Sequence, residues 1–357
     1  MGCPPPPRSG PAPGRGPRAG RPVAGPPRAD GILPRVNKKH IYIYSPSSAV
    51  REKPAFRRGV AWLRAQGHEV EIDEAALSAQ QRFAGDDATR IAAIARAAAS
   101  GADVALASRG GYGLTRILDG LPYKAVAKAI ERGTAFVGMS DFTAFQLAVL
   151  ARTGAATWSG PTLCSDFGAE EGIDEITAAC FDDLVEGYGE GTGWRLPARD
   201  EVPGFRPIRG ATLWGGNLAV LCSLLGTPYF PQVDKGVLFL EDVGEHPYRI
   251  ERMLEQLRLA GVLARQKAVV LGQFTGYRAA PHDRGFKLQT VVERLRSQLK
   301  APVLTGLPFG HVPTKVLLPV GATVDLAVEG KEAFVVWGHG VGGSRHAATH
   351  DHHGHAH

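Results

Sequence analysis

Cysteine is scarce in this chain. Four occur in 357 residues (Cys3, Cys164, Cys180, Cys222), none in C-x-x-C spacing, so a disulfide framework is excluded and free thiols in a reducing compartment are expected. Long apolar runs are missing too; nothing approaches the ~18 residues of a membrane span. A charge of one sign is absent from most of the chain. Eight basic residues and one acid in residues 1–39 account for a surplus of seven, which leaves the other 318 residues one short of neutral. The body therefore offers no electrostatic argument for a nucleic-acid face.

What is present is ordinary globular composition, 44% apolar and 21% charged, between two biased ends. Residues 1–36 hold 11 of the 26 prolines and almost no apolar side chains. Such a segment cannot offset its ordering entropy, so a disordered Pro/Gly/Arg-rich tail is expected, without the apolar core of a secretory signal. Residues 338–357 hold seven of the twelve histidines. Close-spaced imidazoles can chelate Zn, Ni or Cu, but without a preorganised cage the segment reads as a solvated tail. The body keeps only His40, His68, His246, His282 and His311, a short field for a catalytic base.

Between the ends, short apolar runs alternate with helical spacing. Strands are expected at 41–44, 69–72, 103–107 and 135–138, with helices between them. That pattern predicts a parallel, flavodoxin/Rossmann-like sheet over residues 38–165, with a ligand at the strands' carboxyl ends. Residues 166–205 loosen into acidic, Gly-rich sequence and read as a linker region. A second α/β domain follows over 206–337, with strands at 237–240, 268–271 and 302–304. Its helices are expected near 217–226, 247–260 and 285–299. Alternation around Gly330-Lys331 predicts a closing β-hairpin over 322–337.

Chemistry concentrates at the expected strand ends. Ser140 stands at a sharp strand-to-helix turn, which either exposes a nucleophilic hydroxyl in the manner of a nucleophile elbow or caps the helix. His311 follows Pro308-Phe309-Gly310 as a base or as a loop histidine. Glu241 and Asp242 follow a strand as an orienting acid or as helix caps. Ser108-Arg109-Gly110-Gly111-Tyr112-Gly113 either forms an oxyanion turn or simply needs glycine for positive φ. Trp214-Gly215-Gly216-Asn217 leads into a helix with Asn217 as its cap. Neither glycine string has a nucleotide-phosphate pattern.

Six short motifs resemble the LD-carboxypeptidase family of serine peptidases: I-Y-S-P-S-S (43–48), S-R-G-G-Y-G (108–113), G-M-S-D-F-T (138–143), W-G-G-N-L (214–218), L-E-D-V-G-E-H-P-Y-R (240–249) and P-F-G-H-V (308–312). They occur in the family's order across residues 40–337. The resemblance implies a Ser140–His311–Glu241 triad. It also implies an oxyanion hole from the Asp141 N–H and one from the Gly110-Gly111 turn, with the site between two domains. The implied reaction releases D-alanine from cytoplasmic murein tetrapeptide, or its muramyl derivatives, in peptidoglycan recycling, with no metal or cofactor. Arg109 is the candidate for binding the terminal carboxylate. A homodimer is left open; nucleic-acid and membrane partners are not expected. Three rivals stand beside this reading: a microcin-immunity-type peptidase cleaving a peptidyl- or aminoacyl-nucleotide amide, a metal-binding protein built on the histidine tail, and an RNA- or membrane-associated protein acting through the basic arm.

Overall fold

The computed structural model describes residues 38–338 apart from 201 and 203. The basic arm, with Cys3, and the histidine-rich tail lie outside the described residues.

The chain first lays down β1 (His40–Tyr44), α1 (Lys53–Ala65), β2 (Glu69–Ile72), α2 (Asp87–Ala99), β3 (Val104–Ala107), α3 (Tyr123–Glu131), β4 (Ala135–Gly138), α4 (Phe142–Thr153) and β5 (Thr157–Ser159). Local chemistry sets the helix starts. Asp86 accepts the Thr89 N–H at 2.7 Å to cap α2, and a proline occupies the first turn of α1. The five strands are parallel in the order β5-β4-β3-β1-β2. This is the doubly wound arrangement expected, in which the order reverses between β1 and β3 and a crevice opens at their carboxyl ends.

The second half comprises α5 (Glu175–Glu186), β6 (Gly191–Arg195), β7 (Ile208–Asn217), α6 (Leu218–Ser223), β8 (Val237–Val243), α7 (Pro247–Leu259), β9 (Ala268–Thr275), α8 (Leu288–Gln298), β10 (Val303–Leu304), β11 (Leu318–Val320), β12 (Thr323–Glu329) and β13 (Glu332–Val336). Its sheet runs β10-β9-β8-β7-β12-β13-β6, parallel through β7 and antiparallel beyond it. The hairpin β12–β13 is where the alternation around Gly330 places it. β11 crosses back and pairs antiparallel with β5 of the first sheet.

Five elements escaped the sequence reading: the short strands β5 and β11, and α5, β6 and β7. The stretch read as a connection holds α5 and β6: Phe181 and Val185 of α5 pack into the apolar cluster beneath the first sheet, and β6 pairs along β13. Its glycines belong to an edge strand, where local composition resembles a loop. β7 was missed because two of its last residues are glycines. Both take positive φ, and a methyl group on Gly215 would stand 1.9 Å from the Phe239 carbonyl oxygen. β8 extends past 240, so Glu241 and Asp242 lie inside the strand rather than after it.

Helix α4 is buried on every side from Phe142 to Val149 because it packs between elements of both halves, among them β5, β7 and α6. One apolar cluster runs through it from Tyr42 and Phe136 to Trp214 and Phe239.

His68, at the α1–β2 turn, is 5% exposed, and neither ring nitrogen has a hydrogen-bond partner among the described residues. Burial pulls its pKa below 6.5. The unfolded chain accepts a proton that the fold refuses, so stability present above pH ~6.5 is lost as pH falls toward the folded value. Thermal melts across this window should show a shallower acid-side decline for His68→Leu than for the wild type; parallel slopes would contradict this.

Candidate active site

Ser140 sits two residues beyond the end of β4 and two before α4, with φ +66. A non-glycine residue in this region stores about 1–3 kcal/mol, which the surrounding packing must hold. The turn brings the serine against the loop after β3. A methyl group on Gly110 would lie 2.7 Å from Ser140 Cβ and 2.9 Å from Oγ, so glycine there is a matter of space. The backbone N–H groups of Gly110, Gly111 and Asp141 donate to no acceptor among the described residues. They form a group of free donors around the serine, the arrangement an oxyanion needs.

The three loops at this edge are tied together. Ser45 and Ser108 share a hydroxyl contact at 2.6 Å, and Ser48 Oγ accepts the Tyr112 N–H at 2.9 Å. The Asp141 side chain is buried and does not cap α4; it accepts from Ser47 Oγ at 2.5 Å and from the Leu114 N–H at 3.0 Å. Arg90, fully buried, donates to the Gly113 carbonyl at 2.7 Å.

Across the cleft, Glu241 Oε2 and His311 Nδ1 are hydrogen-bonded at 2.8 Å. Glu241 is completely buried, and its other oxygen accepts Asn217 Nδ2 at 3.1 Å. Asn217 does cap α6, as expected, accepting the Val220 N–H at 3.1 Å. The same side chain also bridges Glu241 and Asp242, and its own N–H reaches Thr143 Oγ1 on α4 at 3.0 Å. Asp242 accepts the Ala219 N–H, and burial raises its pKa. For His311, burial pulls the imidazole down, but the hydrogen bond and charge of Glu241, with Asp242 behind it, outweigh that and leave it above 6.5.

The segment carrying His311 is fastened to the stretch read as a linker. Thr177 Oγ1 accepts the Lys315 N–H at 2.8 Å and Thr314 Oγ1 donates to Asp174 at 2.7 Å, while Lys315 Nζ pairs with buried Asp166. Sequence could not show these contacts, since Thr177 and Lys315 lie 138 positions apart.

Ser140 and His311 line one cavity of about 750 Å³, together with Arg109, Gly110, Gly111 and Lys315. Among the described residues no hydrogen bond joins Ser140 Oγ to His311, so of the expected contacts only the His311–Glu241 bond is closed. The hydroxyl and the imidazole come from different sheets, and catalytic contacts of this kind commonly tighten only with substrate in place. Arg109, half-buried, donates to the Ala49 carbonyl at 3.2 Å and has no carboxylate partner among the described residues. Among the described residues no group of three His, Cys, Asp or Glu is arranged to hold a metal ion, and no helix is long and apolar enough to cross a membrane.

Residues 41–160 match the model of the LD-carboxypeptidase N-terminal domain and residues 210–326 that of the C-terminal domain. The "Probable murein peptide carboxypeptidase" of Bacillus subtilis is 31% identical over 231 residues, 64% of this chain and 70% of that one. The crystal structure of muramoyltetrapeptide carboxypeptidase from Oxalobacter formigenes has a TM-score of 0.75 at 37% identity, covering 84% of this chain and 98% of its own. The microcin C7 self-immunity protein MccF of Escherichia coli is 27% identical over 62% of this chain and 69% of its own. A solved MccF structure shares the fold at TM-score 0.72 and 21% identity, covering 84% and 96% of the two chains.

The Glu241 pair generates a direct expectation. NMR titration of the imidazoles should place the His311 pKa above 6.5 in the wild type and lower in Glu241→Gln, which loses the carboxylate charge. An unchanged value would mean the pair does not set the protonation of His311.

Proposed function

This chain belongs to the LD-carboxypeptidase family of serine carboxypeptidases, and we propose that it removes terminal D-alanine from murein tetrapeptide, or its muramyl derivatives, in the cytoplasm during peptidoglycan recycling. The observation that carries the reading is the hydrogen bond between buried Glu241 and a His311 that lines the same cavity as a strained, accessible Ser140.

In this mechanism Glu241 holds the imidazole through Nδ1, which leaves Nε2 to take the Ser140 proton as the hydroxyl attacks the scissile carbonyl. The N–H groups of Asp141 and the Gly110-Gly111 turn receive the oxyanion. His311 returns the proton to the departing amine, and D-alanine leaves. A water activated by the same imidazole then hydrolyses the acyl-enzyme and restores Ser140. Arg109, a guanidinium with no carboxylate within ion-pair distance among the described residues, matches the free terminal carboxylate that distinguishes a carboxypeptidase substrate.

The likeness to a microcin C7 self-immunity protein keeps open a second reading, hydrolysis of a peptidyl- or aminoacyl-nucleotide amide by the same three residues. Mass-spectrometric product analysis separates the two. The wild type should release D-alanine from tetrapeptide far faster than it cleaves an aminoacyl sulfamoyl adenylate, and the reverse ranking would favour the second. Ser140→Ala should lower D-alanine release by at least about 10⁴-fold with an unchanged circular dichroism spectrum. Wild-type turnover in that variant would dismiss Ser140 as nucleophile.

A further inference from the structure

A cavity of about 760 Å³ opens at the edge of the second sheet opposite the catalytic cleft. Lys267 stands just before β9, Pro302 just before β10 and Ile208 at the start of β7, so its wall forms at the amino ends of these strands. Glu241 lies toward the carboxyl end of β8, which runs parallel to β7 and β9. This cavity and the one at Ser140 have no lining residue in common.

Among the described residues, four cations wall this space, Arg206, Lys267, Arg296 and Lys300, against one acid, Asp200. That acid is already engaged. Arg296 Nη1 donates to it at 2.6 Å, the Thr305 hydroxyl donates to it as well, and the rest of the guanidinium donates to the Val303 carbonyl. The other three cations are uncompensated. Lys267 Nζ meets only a neutral acceptor, the Arg209 carbonyl at 3.0 Å. Arg206 and Lys300 make no hydrogen bond or ion pair among the described residues. Like charges held around one space repel each other, and a bound anion relieves that repulsion. Between the cations the wall is apolar, with Phe205, Ile208 and Leu299 packed against the core.

We propose that this cavity is a binding site, separate from the catalytic one, for a soluble phosphomonoester with an apolar ring system as its body. The charge selects the head group. A carboxylate carries one negative charge, whereas a phosphomonoester carries nearly two at neutral pH and offers three acceptor oxygens to Arg206, Lys267 and Lys300. The apolar wall selects the body. Inorganic phosphate would leave Phe205, Ile208 and Leu299 in water, and a neutral apolar molecule would leave the three cations unpaired. The volume is within the range of sites that enclose a small organic ligand.

Calorimetric titration of the full chain with 1-naphthyl phosphate, 1-naphthoate and inorganic phosphate tests this. 1-Naphthyl phosphate should bind at least about tenfold more tightly than either of the others. The double variant Arg206→Ala/Lys300→Ala should raise its Kd by about tenfold or more with an unchanged circular dichroism spectrum. Phe205→Ser should shrink its advantage over inorganic phosphate. Arg109→Ala, which alters the other cavity, should leave its Kd where it was. The basic arm is present in every variant, so attraction to the arm cannot produce these differences. Absence of binding, equal affinity for the three anions, or an unchanged Kd in the double variant would overturn the proposal. So would an undiminished advantage in Phe205→Ser, or loss of binding in Arg109→Ala, which would put the probe in the catalytic cavity.

Discussion

A single hydrogen bond, from His311 Nδ1 to the buried carboxylate of Glu241, organises the site described here. A fully buried carboxylate is costly unless its oxygens are hydrogen-bonded, and Glu241 meets that condition with the imidazole on one oxygen and Asn217 on the other. The bond fixes which ring nitrogen of His311 faces the cleft. A carboxylate free to rotate would leave the imidazole without a defined tautomer, and the accessible serine opposite it without a defined base.

The constraint extends outward through α4. Its first turn follows Ser140, its Thr143 hydroxyl receives the Asn217 N–H, and its flanks fill the space between elements of both halves. A methyl group on Gly216 would stand 2.5 Å from Thr143 Oγ1, so the close approach of β7 to this helix depends on glycine. The opposite wall is fixed by Thr177, Asp174 and Asp166, which fasten the chain just beyond His311. Serine and histidine are thus each held on their own element and line one cavity.

Much of this was legible in the sequence, for reasons that can be named. Ile41–Tyr44 and Ala135–Gly138 are short apolar runs between helical periods, which only a buried parallel sheet accommodates. Ser140, Glu241 and His311 stood out because each falls where such a run ends, and the family motifs around them are short but ordered. The parts that were not legible depend on distance or on context. α5 and β6 lie in Gly-rich, acidic sequence and acquire their partners, Phe167 for α5 and β13 for β6, only after folding. The second task of Asn217 is hidden because a capping asparagine explains its position locally. The Lys315–Asp166 pair spans 149 positions without any periodic signal.

In the proposed mechanism the Glu241–His311 pair activates Ser140 alone among the hydroxyls of this cleft. Fluorophosphonate labelling followed by peptide mapping tests it most directly, because the reagent reports nucleophilicity without assuming a substrate. One adduct on Ser140, lost in His311→Ala, is the predicted outcome. Modification of another side chain, or undiminished labelling of Ser140 without the imidazole, would contradict the account.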